Sequence, residues 1–294
     1  VDSTEGNVLT VGGQNVGSGT IASFVKMTGG GSLAIAAPGR NVLVANTSSN
    51  NLGSTTLDMG GLSAFSADVA NFYVGRGPRT LSIVTLATNG NATNSIKASI
   101  LSIGDSNNSA ENNGLSEIRL GDSNTLNVNS IFVGAPTVSS LRNVQNGQIS
   151  FQASLSDASV IIRGRDGGTT RANLTIGSQG VRTSNPTNTN RSLNSHVDLS
   201  AGTVDARLGT VVLGEGQGGF NSTSGAVVGR FTMSAGTVDA LSVLLGRSNT
   251  GSSNNTSTGF ATGTLTVNGG SFTTQTMQLA INQGGGQKVA GNLN

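Results

Sequence analysis

The C-terminal third of the chain repeats itself at a fixed interval. Ser200-Ala201-Gly202-Thr203-Val204-Asp205-Ala206 returns as Ser234-Ala235-Gly236-Thr237-Val238-Asp239-Ala240. It returns again, in looser form, as Asn268-Gly269-Gly270-Ser271-Phe272-Thr273-Thr274, and both steps are 34 residues. A fixed period in this range marks a stacked-repeat architecture. The units of such a chain bury their core only against neighbouring units. A chain built this way is first a length of material, and only second a scaffold for a site.

The strand type follows from the spacing of apolar residues. Ile118-Arg119-Leu120, Leu126-Asn127-Val128 and Leu265-Thr266-Val267 alternate with period two, which reads as half-buried strand. No stretch sustains helical spacing. A tetrad of apolar, any, apolar, Gly recurs as Phe72-Tyr73-Val74-Gly75, Leu101-Ser102-Ile103-Gly104 and Ile131-Phe132-Val133-Gly134. It continues as Leu174-Thr175-Ile176-Gly177, Val211-Val212-Leu213-Gly214 and Val243-Leu244-Leu245-Gly246. Leu279-Ala280-Ile281-Asn282 reads as a last copy with Asn in the Gly place, since both residues take positive φ at a corner. Val160-Ile161-Ile162-Arg163-Gly164 reads as a degenerate copy.

Polar stretches of unequal length follow many tetrads, as in Asp105 to Ser109 and Arg247 to Asn255. Variable loops on one edge of a regular core suit a repeat architecture. One module is read as one coil, although two coils per 34 residues also fit. Residues 61–294 form the solenoid repeats. Residues 1–60 read as a β-rich segment whose strands, Asn7 to Val11 and Ser32 to Ala37, resist phasing. Aligning the echo places Val204 under Val238 and Phe272 as a repeat-core ladder. Pro38, Pro78, Pro136 and Pro186 are all placed in turns or loops, where a missing N–H does no harm.

The phrases Phe72-Tyr73-Val74-Gly75-Arg76-Gly77, Ile161-Ile162-Arg163-Gly164-Arg165-Asp166-Gly167-Gly168 and Thr232 to Ala240 resemble the autotransporter-associated β-strand repeats of exported bacterial surface proteins. The resemblance covers roughly residues 55 to 294. It implies an all-β, right-handed parallel β-helix at the cell surface, and it is specific for architecture rather than activity. The sequence departs from that family's pattern in one respect: Gln283 to Asn294 carries none of the aromatic girdles of a membrane barrel. The opening at Val1 reads as a processed product or a piece of a longer protein.

Composition excludes several roles. Lys and Arg total 16 against 14 Asp and Glu, and aromatic residues are 3%. Nucleic-acid binding is not expected without basic clusters and stacking platforms. There is no Cys, hence no disulfide framework and no thiolate metal site. No apolar run is long enough for a spanning helix. The single His, His196, lacks metal or triad partners and is assigned to a surface or loop. Asp205 and Asp239 occupy equivalent repeat positions and could pair as glycosidase carboxyls. With no aromatic sugar platform beside them, they read as solvent-facing copies. Asp105 and Asp122 follow Gly and precede Ser-Asn, which is turn chemistry. Arg165-Asp166-Gly167-Gly168 shares part of a calcium β-roll motif, but without tandem copies no metal is expected. Asn-x-Ser/Thr triplets at Asn46, Asn91, Asn107, Asn173, Asn190, Asn221, Asn254 and Asn255 are candidate glycosylation sites.

The expected function is therefore a non-enzymatic extracellular structural protein without cofactors. Its solenoid ends would assemble head to tail into a surface filament. Inter-subunit strand candidates are Val8, Leu9, Thr10 and Val11 at one end and Leu279 and Ile281 at the other. An adhesin segment is the alternative, and a carbohydrate-active enzyme a more distant one.

Overall fold

The computed structural model describes residues 6–12, 21–45, 53–76, 80–105, 114–137, 146–179, 193–217, 226–249, 260–282 and 288–294. Among these residues all regular structure is strand, and every strand pair is parallel. The chain is a parallel β-solenoid with two sheets. The first, sheet A, runs β1 (Asn7–Val11), β3 (Ser32–Val44), β5 (Ala64–Val74), β7 (Thr93–Ile103), β9 (Ser123–Val133), β11 (Ala158–Arg163), β14 (Gly202–Gln217), β16 (Gly236–Asn249) and β18 (Ser271–Asn282), with β12 (Ala172–Ser178) set between β9 and β14. The second, sheet B, runs β2 (Ile21–Lys26), β4 (Gly53–Asp58), β6 (Thr80–Thr85), β8 (Leu115–Leu120), β10 (Asn146–Phe151), β13 (Leu193–Leu199), β15 (Ala226–Met233), β17 (Phe260–Val267) and β19 (Lys288–Leu293).

One strand of sheet A and the next strand of sheet B make a level, numbered 1 to 9 along the chain. Leu199 pairs with Met233, and Met233 with Val267. A 34-residue step is thus one level, which removes the two-coil alternative. At about 4.8 Å per level the stack is roughly 40 Å long. The first strands, β1 to β4, occupy the first two positions of these same sheets.

Alternation fills the interior. In sheet B the column Val25, Leu57, Val84, Ile118, Ile149, Val197, Phe231, Leu265, Leu293 runs through all nine levels. Its inner seven members are at most 3% exposed. In sheet A the tetrads stack in a second column from Val11 and Val44 to Leu245 and Leu279. Both columns meet in one apolar cluster that runs from Val11 to Leu265. Burying each such side chain contributes about 1.5–3 kcal/mol before entropy is charged.

The tetrad column also holds two copies that the sequence left unphased. Leu9-Thr10-Val11-Gly12 and Val42-Leu43-Val44-Ala45 pair onto Phe72-Tyr73-Val74-Gly75 in turn. At the far end the copy is Met277-Gln278-Leu279-Ala280, because Val243 pairs with Met277 and Leu245 with Leu279. The expected Asn282 corner is therefore replaced by Ala280. Every level closes its tetrad at a residue with φ between 54° and 84°. Val160 to Gly164 lies outside this column: β11 pairs with the first half of β14, and Leu174 to Gly177 supplies that level's corner.

Corner glycines face a second column of small residues in sheet B. Thr55, Ser82, Ser116, Gly147, Ser195, Gly229, Gly263 and Gly291 succeed one another from level 2 to level 9. The sheets touch here backbone to backbone. A Cβ on Gly214 would lie 2.0 Å from the Thr262 carbonyl oxygen, and one on Gly229 2.1 Å from that of Ile176. The residues connecting each corner to sheet B vary in number, from 77–79 to 180–192, and lie outside the described residues.

At the opposite edge the turns are short and polar side chains complete them. Asn94 and Asn124 are stacked partners at 4% and 1% exposure. The Asn124 Oδ1 accepts from Gly121 N at 2.9 Å, while its Nδ2 donates to the carbonyls of Gly121 and Ser159 at 2.8 Å each. Asn94 makes the same pair of bonds to Ala87. Asp122 goes beyond a local turn: its carboxylate accepts from Ala92 N, one level away, at 3.0 Å. Pro38 sits within β3, at the register break between Ala37 and Asn41, where the ladder asks for no N–H. Pro78 and Pro186 lie outside the described residues, as do the triplets at Asn46, Asn107, Asn190, Asn221, Asn254 and Asn255.

Candidate functional site

Two regions of the stack offer chemistry beyond the repeat: the terminal levels and the outer face of sheet A.

Level 1 is bounded by β1 and β2, and level 9 by β18 and β19. β1 pairs with β3 along one edge only, so the candidates Leu9, Thr10 and Val11 serve their own chain before any neighbour, while Val8 falls at the register shift between Asn7 and Leu9. Val8 is 40% exposed, while Val11 enters the core column. At the other end Leu279 continues the core column yet is 46% exposed. Ile281 lies past the corner, above Arg247 and in a different column. Leu293 caps the sheet B column at 56% exposure. Sequence reading missed Val25 and Leu293. Their signal was the two-residue alternation of β2 and β19, which only pairing put in phase.

The expected ladder of Val204, Val238 and Phe272 divides. Val238 pairs with Phe272, whose ring meets Phe231 edge-on at 6.2 Å. Val204 instead pairs with Val160 below and Gly236 above, and Ala206 takes the place opposite Val238. All three ladder residues still face the core.

The outer face of sheet A carries an ion-pair array that the sequence does not announce. Between β11 and β12 the strand pairing is interrupted by an excursion of turns, 164–171. Arg163, on its near side, donates to the Asp205 carboxylate at 2.6 Å and to the Asp205 carbonyl at 2.8 Å. Arg171, on its far side, donates to the Asp239 carboxylate at 2.6 Å and to the carbonyls of Asp239 and Leu208 at 2.7 and 2.9 Å. Arg165 reaches the other way, to Ser99 Oγ at 2.9 Å and Asp68 at 3.3 Å. Lys97 holds the second oxygen of Asp68 at 3.0 Å.

Asp205 and Asp239 therefore each answer a separate arginine. They are also out of register, since Asp205 opposes Thr237 and Asp239 opposes Arg207. The hydrogen bond from Arg171 holds the Asp239 carboxyl below the usual carboxylate range, assisted by the charges of Arg171 and Arg207. An acid kept ionised in this way is a poor proton donor. Among the described residues no three His, Asp or Glu side chains gather as a metal site.

A smaller polar column follows the corners. Ser178 donates to Glu215 at 2.7 Å, and Arg247 donates to the same carboxylate through Nε at 2.9 Å. His196 is not in a loop. It sits half-buried in β13, between Gln148 and Arg230. Burial pushes its pKa below 6.5; Arg230 lowers it further, while Asp198 and Glu117 oppose the shift.

No helix among the described residues is long and apolar enough to cross a membrane. No family model matches the chain, and neither a curated protein nor a solved structure matches it.

Proposed function

We propose that this chain is a non-enzymatic structural protein whose copies stack end to end into a fibre. One observation carries the reading: the two terminal levels bear the same column pattern, in the same strand direction, and each has an outer strand edge. Leu293 and Val25 are the two ends of one core column, 56% and 36% exposed. Leu279 and Val11 end another. A second copy seated on level 9 puts Val25 over Leu293, Val11 over Leu279, and Gly12 over Ala280. Every strand then continues in parallel, as β-augmentation requires. A heterologous contact of this kind does not close on itself and gives an open filament.

The exported-surface setting belongs to this proposal. It is supported by the Cys-free, low-charge composition and by the resemblance to autotransporter-associated repeats. Electron microscopy across a concentration series tests the reading. Wild-type chains should form rods many times the roughly 40 Å length of one copy. Leu293→Lys should leave single rods by placing a charge in the junction. Isolated short rods from the wild-type chain at every concentration would sink the proposal.

A further inference from the structure

A solenoid couples each level only to its neighbours, so its parts open independently, beginning at the ends. The excursion at 164–171 breaks that rule. It leaves level 6, yet its Arg165 and Arg171 hold partners two and three levels away, while Arg163 at its near edge bonds the adjacent level. On one side the Arg165 backbone N–H donates to Asn129 on level 5 at 3.2 Å, and its guanidinium reaches Ser99 on level 4 and Asp68 on level 3. On the other, Arg163 holds Asp205 on level 7 and Arg171 holds Asp239 on level 8. The longest of these contacts joins residues 97 positions apart in the chain.

These pairs differ from ordinary surface ion pairs, whose net worth is small. The arginine side chains are only 13%, 20% and 24% exposed, against 51%, 38% and 48% for their carboxylate partners, so what sets the pairs apart is the arginine side. Arg163 and Arg171 each grip a carboxylate and a backbone carbonyl together, which fixes the planar guanidinium in one orientation. The excursion is itself tied down: Gly164 N donates to the Thr170 carbonyl at 3.1 Å, Gly167 N to that of Gly164 at 2.8 Å, and Thr170 N to that of Gly167 at 3.0 Å. A rigid loop carrying oriented arginines transmits load in a way that a floppy one does not.

We infer that the 164–171 excursion is a latch that joins levels 3 to 8 into one cooperative unit. With the latch closed, opening level 3 also costs the Arg165 contacts to level 6, three levels away. The terminal levels lie outside its reach and remain free to open or to pair with a neighbour. The latch stands whether or not copies stack.

Native-state hydrogen exchange, read strand by strand by mass spectrometry, tests this in the whole chain. Arg165→Ser should speed exchange in β5 about tenfold, although β5 and β11 share no backbone pairing. Arg171→Ser and Asp239→Asn should each speed exchange in β16, and the double variant should add nothing to Arg171→Ser alone, which already removes the carboxylate and carbonyl contacts together. Acceleration confined to residues 158–178, unchanged exchange in β5, or additive losses in the double variant would each overturn the latch. Should Arg165→Ser fail to fold, Asp68→Asn in a Lys97→Met background breaks the same contact from the distant side, with the Lys97 pair already absent, and must still speed exchange in β5 relative to Lys97→Met alone.

Discussion

Ala206 stands opposite Val238, and Val204 opposite Gly236. The repeated heptapeptides at 200–206 and 234–240 would put Val204 on Val238. The observed β14–β16 register is two residues shorter. It matches large to small along the core: Val204 with Gly236, Ala206 with Val238, Leu208 with Ala240. It also brings the tetrads into line, Val211 on Val243 and Leu213 on Leu245. A two-residue slip keeps every side chain on its own face, so the alternation alone cannot select between the registers. The corner decides: Gly214 and Gly246 share positive φ and must stack over the same seam.

This register predicts a compensating pair. Ala206→Val overfills the interior and should cost about 1–3 kcal/mol. Val238→Ala leaves a cavity and should cost a similar amount. The double swap should recover a good part of the loss, which chemical denaturation of the four chains will measure. Strict additivity would mean that the two side chains do not meet.

The seam predicts that corner glycines differ sharply from glycines with the same backbone conformation elsewhere. Gly168 has φ +58° and nothing within 4 Å of its absent Cβ. Gly214 has φ +69° with a carbonyl oxygen 2.0 Å from that point. Gly168→Ala should cost about 1 kcal/mol, the conformational term alone. Gly214→Ala should cost several times more, because sheet B must move. Thermal unfolding of the two variants separates the contributions.

Asn124 predicts the cost of leaving a turn unsatisfied. Its side chain answers both backbone groups of Gly121 and the carbonyl of Ser159. Asn124→Leu keeps the volume but strands these groups in the interior. The expected loss is about 1–3 kcal/mol for each buried group without a partner. A variant as stable as the parent would show that water reaches this edge.

His196 gives a pH dependence whose sign follows from its lowered pKa. Between the lowered value and 6.5 the unfolded chain binds more protons than the folded one. Its contribution is therefore complete above 6.5 and declines as pH falls through the folded value. An NMR titration of the ring should show a midpoint below 6.5. His196→Gln should flatten the stability profile just below neutrality.

Much of the fold was legible from residue order. Alternation marked the strands, the tetrads marked the corners, and one module made one level. In the first sixty residues the regular tetrad Leu9 to Gly12 at level 1 was passed over, and the level 2 corner is Ala45, with no glycine to mark it. The last corner was misplaced for the same reason, with Ala280 in the position expected of Asn282. The latch left no local signal. Asp205 lies 42 residues from Arg163 in the chain and Asp239 lies 68 from Arg171, and the arginine beside Asp205 in sequence, Arg207, is a different one.

By itself, then, the sequence determined that this protein is a parallel stack of short strands with a dry interior. Those properties follow from local periodicity and from the few residues that tolerate a left-handed corner. Only the tertiary structure decided the register between repeats, the backbone seam between the sheets, and the arginine latch across the levels. Each depends on which atoms meet after the chain has wound several times. A two-residue slip or a contact across 97 residues changes no local preference, and only packing distinguishes one outcome from another.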